Sequence, residues 1–272
     1  MYTWQVNRYY YEAAYMKLFY YSTVYKIALE AKLSLFLFKN KYKTFLSNYK
    51  YAFDHKEGIE IGGPTRFFLS EILPIYEWAK KIDGCNYSEN TIWEGAVKSD
   101  KYIYSPNKSG VQYIMDGTNL TEIEDGKYDF LLSSHNLEHI ANPLKAVEEW
   151  IRVIKSGGFL LLILPDKRYT FDHNRTFTSF QHLLSDFESN TQEDDLTHLN
   201  EILEFHDLKL DPGAGRDFNA FKKRCEDNYK MRALHHHVFS NDLLKDISTH
   251  FGLNVEFQYF VPPYHQILLV QK

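Results

Sequence analysis

The run Lys56-Glu57-Gly58-Ile59-Glu60-Ile61-Gly62-Gly63-Pro64-Thr65-Arg66-Phe67-Phe68 decides the fold. A short apolar stretch ends in an acidic residue and two glycines, and a helix-compatible segment follows. This is the pattern of a first strand that turns sharply into a helix and leaves backbone bare for a nucleotide-like ligand. Working outward, Ala79 to Ile82, ending at Asp83, reads as a second strand, reached by a crossover over Phe67 to Tyr76. Gln112 to Met115, ending at Asp116, is a third. Tyr128 to Ser133 is a fourth, followed by a helix from about Pro143 to Lys155. Gly158 to Leu164 is a fifth, continuous in Leu and Ile as a strand buried on both faces should be. Strands alternating with helical segments predict a parallel, doubly wound α/β sheet.

Four regions follow from the pattern: a helical arm over 1–54, the ligand-binding core over 55–175, an acidic helical cap over 176–234, and closing strands over 235–272. In the cap, Thr191-Gln192-Glu193-Asp194 resembles the capped start of a helix running through Leu196, Leu199, Ile202 and Leu203. Asp211-Pro212-Gly213-Ala214-Gly215 is a stop and turn. Leu253 to Phe260 and His265 to Val270 read as two strands joined through Pro262-Pro263. In the arm, Tyr11, Ala14, Tyr15 and Leu18 recur at helical spacing. Such a stripe serves a peripheral membrane contact, a lid, or packing on the domain or on a second copy in a homodimer. Packing is the commonest of these uses.

The net charge of -5 argues against general nucleic-acid binding. Residues 1–53 hold eight Lys or Arg against Glu12 and Glu30, so that arm is +6. Cys85 and Cys225 give neither a disulfide framework nor zinc spacing, which points to a reducing compartment. No uncharged run in the arm approaches the ~20 residues needed to span a bilayer, so a cytoplasmic protein is expected.

Acids end three successive strands: Glu60, Asp83 and Asp116. Acids there suit a ligand lying across the carboxyl edge of the sheet, although each could instead cap the next helix. Asp83 follows Gly62 at 21 residues, near the ~20 at which an acid meets ribose hydroxyls in dinucleotide-binding folds.

The set Glu60-Ile61-Gly62-Gly63-Pro64, Asp83, Asp116, Ser134-His135-Asn136-Leu137-Glu138-His139-Ile140 and Arg152-Val153-Ile154-Lys155-Ser156-Gly157-Gly158 resembles a class I S-adenosylmethionine-dependent methyltransferase. The resemblance covers about residues 55–175 and implies a Rossmann-like sheet of seven strands with the last antiparallel. It implies S-adenosylmethionine as cofactor, held by Glu60, Gly62, Gly63, Pro64, Asp83, Asp116 and His135. By that resemblance the glycine turn faces the methionine part, Asp83 holds the ribose and Asp116 meets the adenine amino group. Pro64 and Arg66 stand where the family has its second and third glycines. The same departures weaken a nicotinamide-dependent dehydrogenase more, because pyrophosphate binding leans on Gly-x-Gly-x-x-Gly.

Pro165-Asp166-Lys167-Arg168-Tyr169-Thr170-Phe171-Asp172, Glu193-Asp194-Asp195-Leu196-Thr197-His198 and Leu234-His235-His236-His237-Val238-Phe239 further resemble a bacterial subgroup associated with surface polysaccharide biosynthesis, such as that of capsules. That implies O-methylation of a sugar, nucleotide-sugar or phosphorylated precursor. A non-catalytic scaffold that binds a partner through the aromatic arm is the alternative.

Methyl transfer to a hydroxyl needs one base and a shaped pocket. Candidate bases are His135 after strand four, Asp166 after strand five, and His235 and His237, which share one face if the backbone is extended. Lys167, Arg168 and Arg175, with His198 and His236, would bind an anionic acceptor, although a solvated loop would look the same. Glu138-His139 is read as positioning the strand-four turn. No short metal-ligand motif is present, so no metal is expected, with Asp194, Asp195 and His198 the partners His235 and His237 would use if there were one.

Overall fold

The computed structural model describes residues 48–272 apart from 70–72, 92–94, 98–100, 216 and 262–264. The arm anticipated over 1–54 thus lies almost wholly outside the described residues, as does the Pro262-Pro263 junction.

Seven strands form one sheet: β1 Glu57–Ile61, β2 Lys81–Asn86, β3 Gln112–Ile114, β4 Tyr128–Ser134, β5 Ile154–Pro165, β6 Asn254–Val261 and β7 His265–Gln271. Their order is β6-β7-β5-β4-β1-β2-β3. Strands β1 to β5 pair in parallel, and β7 runs antiparallel to both β5 and β6. This is the doubly wound α/β fold expected from the sequence. The order reverses between β1 and β4, so a crevice opens at their carboxyl ends, where such sheets bind ligands.

The connections depart from expectation. The crossover from β1 to β2 is a 3-10 turn, Arg66–Leu69, and a single helical turn, α1, Ile75–Trp78, entered from Pro74. Strand β2 starts at Lys81 rather than Ala79 and continues past Asp83 to Asn86. Two hairpins, Asn90–Thr91 with Gly95–Ala96 and Tyr102–Ser105 with Lys108–Gly110, stand between β2 and β3. Helix α2, Pro143–Val153, has Pro at its first turn and Asn142 accepting from the Lys145 amide, two features that start a helix.

Beyond β5 come α3 Phe180–Glu188, α4 Leu199–Phe205, α5 Phe218–Glu226, α6 Asn228–Met231 and α7 Asn241–His250. The helix anticipated from Thr191 begins only at Leu199. Asp195 accepts from both the amide and hydroxyl of Thr197, and such local bonds compete with helical ones. Asp194 and His198 therefore do not share a helix face.

Alternation along the strands divides the core. Ile59, Ile61, Leu131, Leu160, Leu162 and Leu164 pack with Trp150, Leu144 and Leu244 on one face. Phe130, Leu132, Phe159, Leu161 and Ile163 pack with Phe53, Phe68, Tyr76 and Tyr102 on the other. At β1, parity sends Glu60 to this second, aromatic face, where it is fully buried. The hydroxyls of Tyr76 and Tyr102 donate to its Oε2 at 2.5 and 2.6 Å, and the Thr65 amide donates to Oε1 at 3.1 Å.

Burial still pushes the Glu60 carboxyl up to about 7 despite three donors. Removing that acceptor strands two buried hydroxyl donors, at about 1–3 kcal/mol each, while the Thr65 amide keeps Tyr76 Oη at 2.7 Å. Glu60→Ala should lower the free energy of unfolding by at least roughly 2 kcal/mol in urea titrations. A loss below ~1 kcal/mol would show that the network does not hold the bend.

Candidate active site

A cavity of about 210 Å³ lies at the carboxyl edge, lined by Ile61 and Gly62 after β1, Cys85 to Tyr87 at the end of β2, Met115 to Gly117 after β3, and Ser134 to Asn136 after β4. Thr91, His139, Ile140 and Arg232 complete it. Gly62 has φ of 80°, and its amide donates to Cys85 O at 2.9 Å. A Cβ at Gly62 would stand 2.6 Å from Asn136 Oδ1, so both backbone sign and space require glycine. The loop after β3 is tied to α2 through Trp150 Nε1, which donates to Gly117 O at 2.9 Å.

Of the residues expected to hold a cofactor, Gly62, Asp116 and His135 line this cavity. Glu60 does not, because its parity turns it to the opposite face. Gly63 faces Glu60 and Tyr102, its carbonyl accepts from Asn86 Nδ2 at 3.0 Å, and neither it nor Pro64 lines the cavity. Asp83 is mid-strand, opposite Ile59, and accepts from Val111 N at 2.8 Å and Tyr128 Oη at 2.8 Å, with Lys81 Nζ at 2.8 Å. It staples β2 to its neighbours and leaves the strand tip to Asn86. Ending β2 at the first acid hid three further strand residues, Gly84, Cys85 and Asn86.

Asp116 accepts from Thr118 and, at 3.0 Å, from Arg232 Nη2. Arg232 also pairs with Glu193 at 2.7 Å and lies over the Tyr87 ring, joining the cap to the tips of β2 and β3. Its left-handed φ of 50°, just past α6, has no signature in the sequence.

The other expected bases and cations are engaged elsewhere. Asp166 is buried and takes both Nε and Nη2 of Arg168 at 2.9 and 2.6 Å. Lys167 donates to Arg175 O and lies over Phe177. Arg175, 2% exposed, bonds Asp172, Glu201 and the carbonyls of His235 and His236. The anticipated basic cluster thus splits: Arg175 and Lys167 brace the chain from within, while Arg168 pairs with Asp166 from an exposed position.

Consecutive histidines of the triple face different partners. His235 Nδ1 lies 2.5 Å from Asp172 Oδ2, and His236 Nε2 lies 3.0 Å from Asn228 Nδ2. His237 Nε2 lies 3.2 Å from Ala141 O and turns toward His182 and His198. None of the three lines the cavity, nor does His198.

His135 does line it. Its φ is 48°, a conformation costing about 1–2 kcal/mol outside glycine, and its amide donates to Ile163 O. Its Nε2 lies 2.9 Å from Nδ1 of His265, a partner missed in the sequence. Burial, with His265 and His235 nearby, pushes His135 down to about 3, and burial pushes His265 down to about 4. Both rings are therefore neutral at pH 7, so one can donate to the other. Behind them Glu138 Oε1 stands 3.7 Å from His135 Nδ1. Glu138 is buried, neither oxygen makes a hydrogen bond among the described residues, and burial pushes it up to about 7.

Residues 61–162 match the methyltransferase domain family. No curated protein matches the chain. Among solved structures it is similar to an S-adenosylmethionine-dependent methyltransferase from Mesorhizobium loti, at 12% identity and TM-score 0.48, covering 81% of this chain and 93% of that one. It is also similar to one from Aquifex aeolicus, at 13% identity and TM-score 0.43, covering 85% and 97%. Likeness this distant carries no argument about activity. The matched stretch runs from the last residue of β1 into β5, and over it the chain is similar to a methyltransferase domain.

The cavity residues fit that cofactor. The Gly62 cradle is one a Cβ would fill, the buried Asn136 Nδ2 has no hydrogen-bond partner among the described residues, and Ile61, Met115 and Ile140 supply apolar walls. Among the described residues no helix is long and apolar enough to cross a membrane.

Gly62→Ala should weaken S-adenosylmethionine binding at least about tenfold in calorimetry, given the ~1–2 kcal/mol cost of φ above zero and the clash. Asp83→Asn should lower stability while leaving that affinity within about threefold; a selective affinity loss in Asp83→Asn would restore it as a ligand. The depressed His135, His236 and His265 keep stability in hand above about pH 6.5 and lose it as pH falls through about 4 to 3. Thermal unfolding followed by circular dichroism from pH 7 to 3 should show that loss.

Proposed function

We propose that this methyltransferase methylates a hydroxyl oxygen, with His135 receiving the hydroxyl proton. The observation that carries the reading is the neutral His135 imidazole lining the glycine-turn cavity, with the buried Glu138 carboxyl behind it. Gly62 and Asn136 would receive the amino-acid end of S-adenosylmethionine, Asn86 its ribose and Asp116 its adenine. The bound cofactor supplies an electrophilic methyl on a sulfonium whose departure needs no acid.

The chain's own part is to hold the acceptor and take up one proton. A histidine of such low basicity is a weak base alone. An ionised Glu138 at 3.7 Å stabilises the imidazolium as it forms, the arrangement in which a third group supports the base. His265 fixes the ring from the other side.

The acceptor class rests on the likeness of the 165–172 and 234–239 segments to the bacterial subgroup for surface glycans, which favours a carbohydrate-related hydroxyl. Negative charge on the acceptor is no longer required by the argument, since Lys167, Arg168 and Arg175 are occupied by the chain itself. The family match favours methyl transfer over hydride transfer and over a purely scaffolding role.

Release of S-adenosylhomocysteine should be measured across neutral sugars, sugar phosphates and nucleotide-sugars. Turnover confined to amine-bearing acceptors would sink the O-methyl reading. Because Glu138 ionises near pH 7, kcat should rise with pH through about 7. Glu138→Gln should lower kcat roughly 100-fold and flatten that limb, with cofactor affinity nearly unchanged. His135→Gln with full turnover would remove the proposed base.

A further inference from the structure

Away from the cavity, three histidines from three separate stretches gather, and Asp186 stands beside two of them. His182 and Asp186 lie one turn apart on α3, His198 precedes α4, and His237 sits in the extended segment before α7. His182 Nε2 is 2.9 Å from His198 Nε2 and 3.3 Å from Asp186 Oδ2. His237 Nε2 is 3.6 Å from the same oxygen, and on binding an ion it would give up its 3.2 Å contact with Ala141 O. The nitrogens of the three histidines lie within 4.8 Å of one another.

Four ligands placed tetrahedrally at ~2.0–2.1 Å from an ion stand about 3.3 Å apart, and the His182–His198, His182–Asp186 and His237–Asp186 separations of 2.9, 3.3 and 3.6 Å bracket that value. Asp186 Oδ2 is buried and makes no hydrogen bond among the described residues, although two imidazole nitrogens stand beside it. A buried carboxylate oxygen left this way is costly, and a cation at the centre removes the cost. The surroundings fit as well. Thr191 Oγ1 donates to Asp186 Oδ1, leaving Oδ2 for the centre, and Asn142 Nδ2 donates to Asp186 O. Glu201 Oε2 stands 3.4 Å from His198 Nδ1, where a carboxylate orients a metal-binding histidine from behind.

We propose that His182, Asp186, His198 and His237 form a divalent-cation site whose imidazole-rich, four-ligand chemistry selects zinc. Four protein ligands close the coordination sphere, so the site is structural. It staples α3 and the head of α4 to the segment that leads back to the sheet, and so fixes the cap. The second histidine and acid cluster, Glu138, His139 and His235, is committed elsewhere, with His235 on Asp172 and His139 Nδ1 3.0 Å from Leu234 O. Of the four, only His198 and His237 stand out in the sequence as ligands, for a metal not expected there; His182 and Asp186 belong to no short motif.

The full chain, purified without a histidine tag or chelator, should carry about one zinc by plasma mass spectrometry. Chelation should lower the melting temperature by several degrees, and stoichiometric Zn²⁺, but not Mg²⁺, should restore it. Co²⁺ substitution should give the strong visible bands of four-coordinate cobalt. His198→Gln and Asp186→Asn should each weaken zinc binding at least about tenfold, while Glu138→Gln retains the metal. The proposal is overturned if the wild-type chain neither holds nor takes up zinc, or if Glu138→Gln loses zinc that His198→Gln keeps.

Discussion

A buried carboxylate at the second-last position of β1 is the constraint on which the site depends. Tyr76, Tyr102 and the Thr65 amide all donate to Glu60, so the chain leaving the strand is pinned from the aromatic face. The left-handed Gly62 can then bend against Asn136, and the other strand tips are arranged around that bend. The β2–β3 hairpins take part in this, because Tyr102 comes from one of them. Hairpins here do what a crossover helix does elsewhere: they cover the sheet face and also complete the anchor.

The sheet was legible because burial on both faces writes continuous apolar runs, and β4 and β5 are such runs. Gly62 and Asp116 were legible because a bend and a strand tip have local residue requirements. Asp83 and Glu60 misled for one reason: an acid near a strand end can face along the sheet or off it, and only register and parity decide. Asp83 falls opposite Ile59, too early to be a tip. Arg232, His265 and the four-ligand cluster were not legible, since each depends on segments distant in sequence meeting through the cap.

The cap is held to the core by polar contacts as much as by packing. Arg232 bridges Asp116 and Glu193, the Glu193 carboxylate accepts from the Ala141 amide, and Arg175 ties Glu201 to the histidine segment. Alternation along residues 235–237 turns His236 to Asn228 and His237 to the α3 side. Consecutive histidines thus serve different partners, which explains why a single role for the triple does not exist. Of the candidate bases, His135, just past β4, lines the cavity, alongside His139.

The account stands on one geometric claim, that the Gly62 bend, Asn86 and Asp116 together form the cofactor seat. A crystal structure of the full chain with S-adenosylhomocysteine tests it most directly. The account predicts the nucleoside between the tips of β2 and β3, the amino-acid end at Gly62 and Asn136, and no contact to Asp83. Ligand density against Asp83, or a Gly62 bend left bare with the compound bound elsewhere, would contradict it.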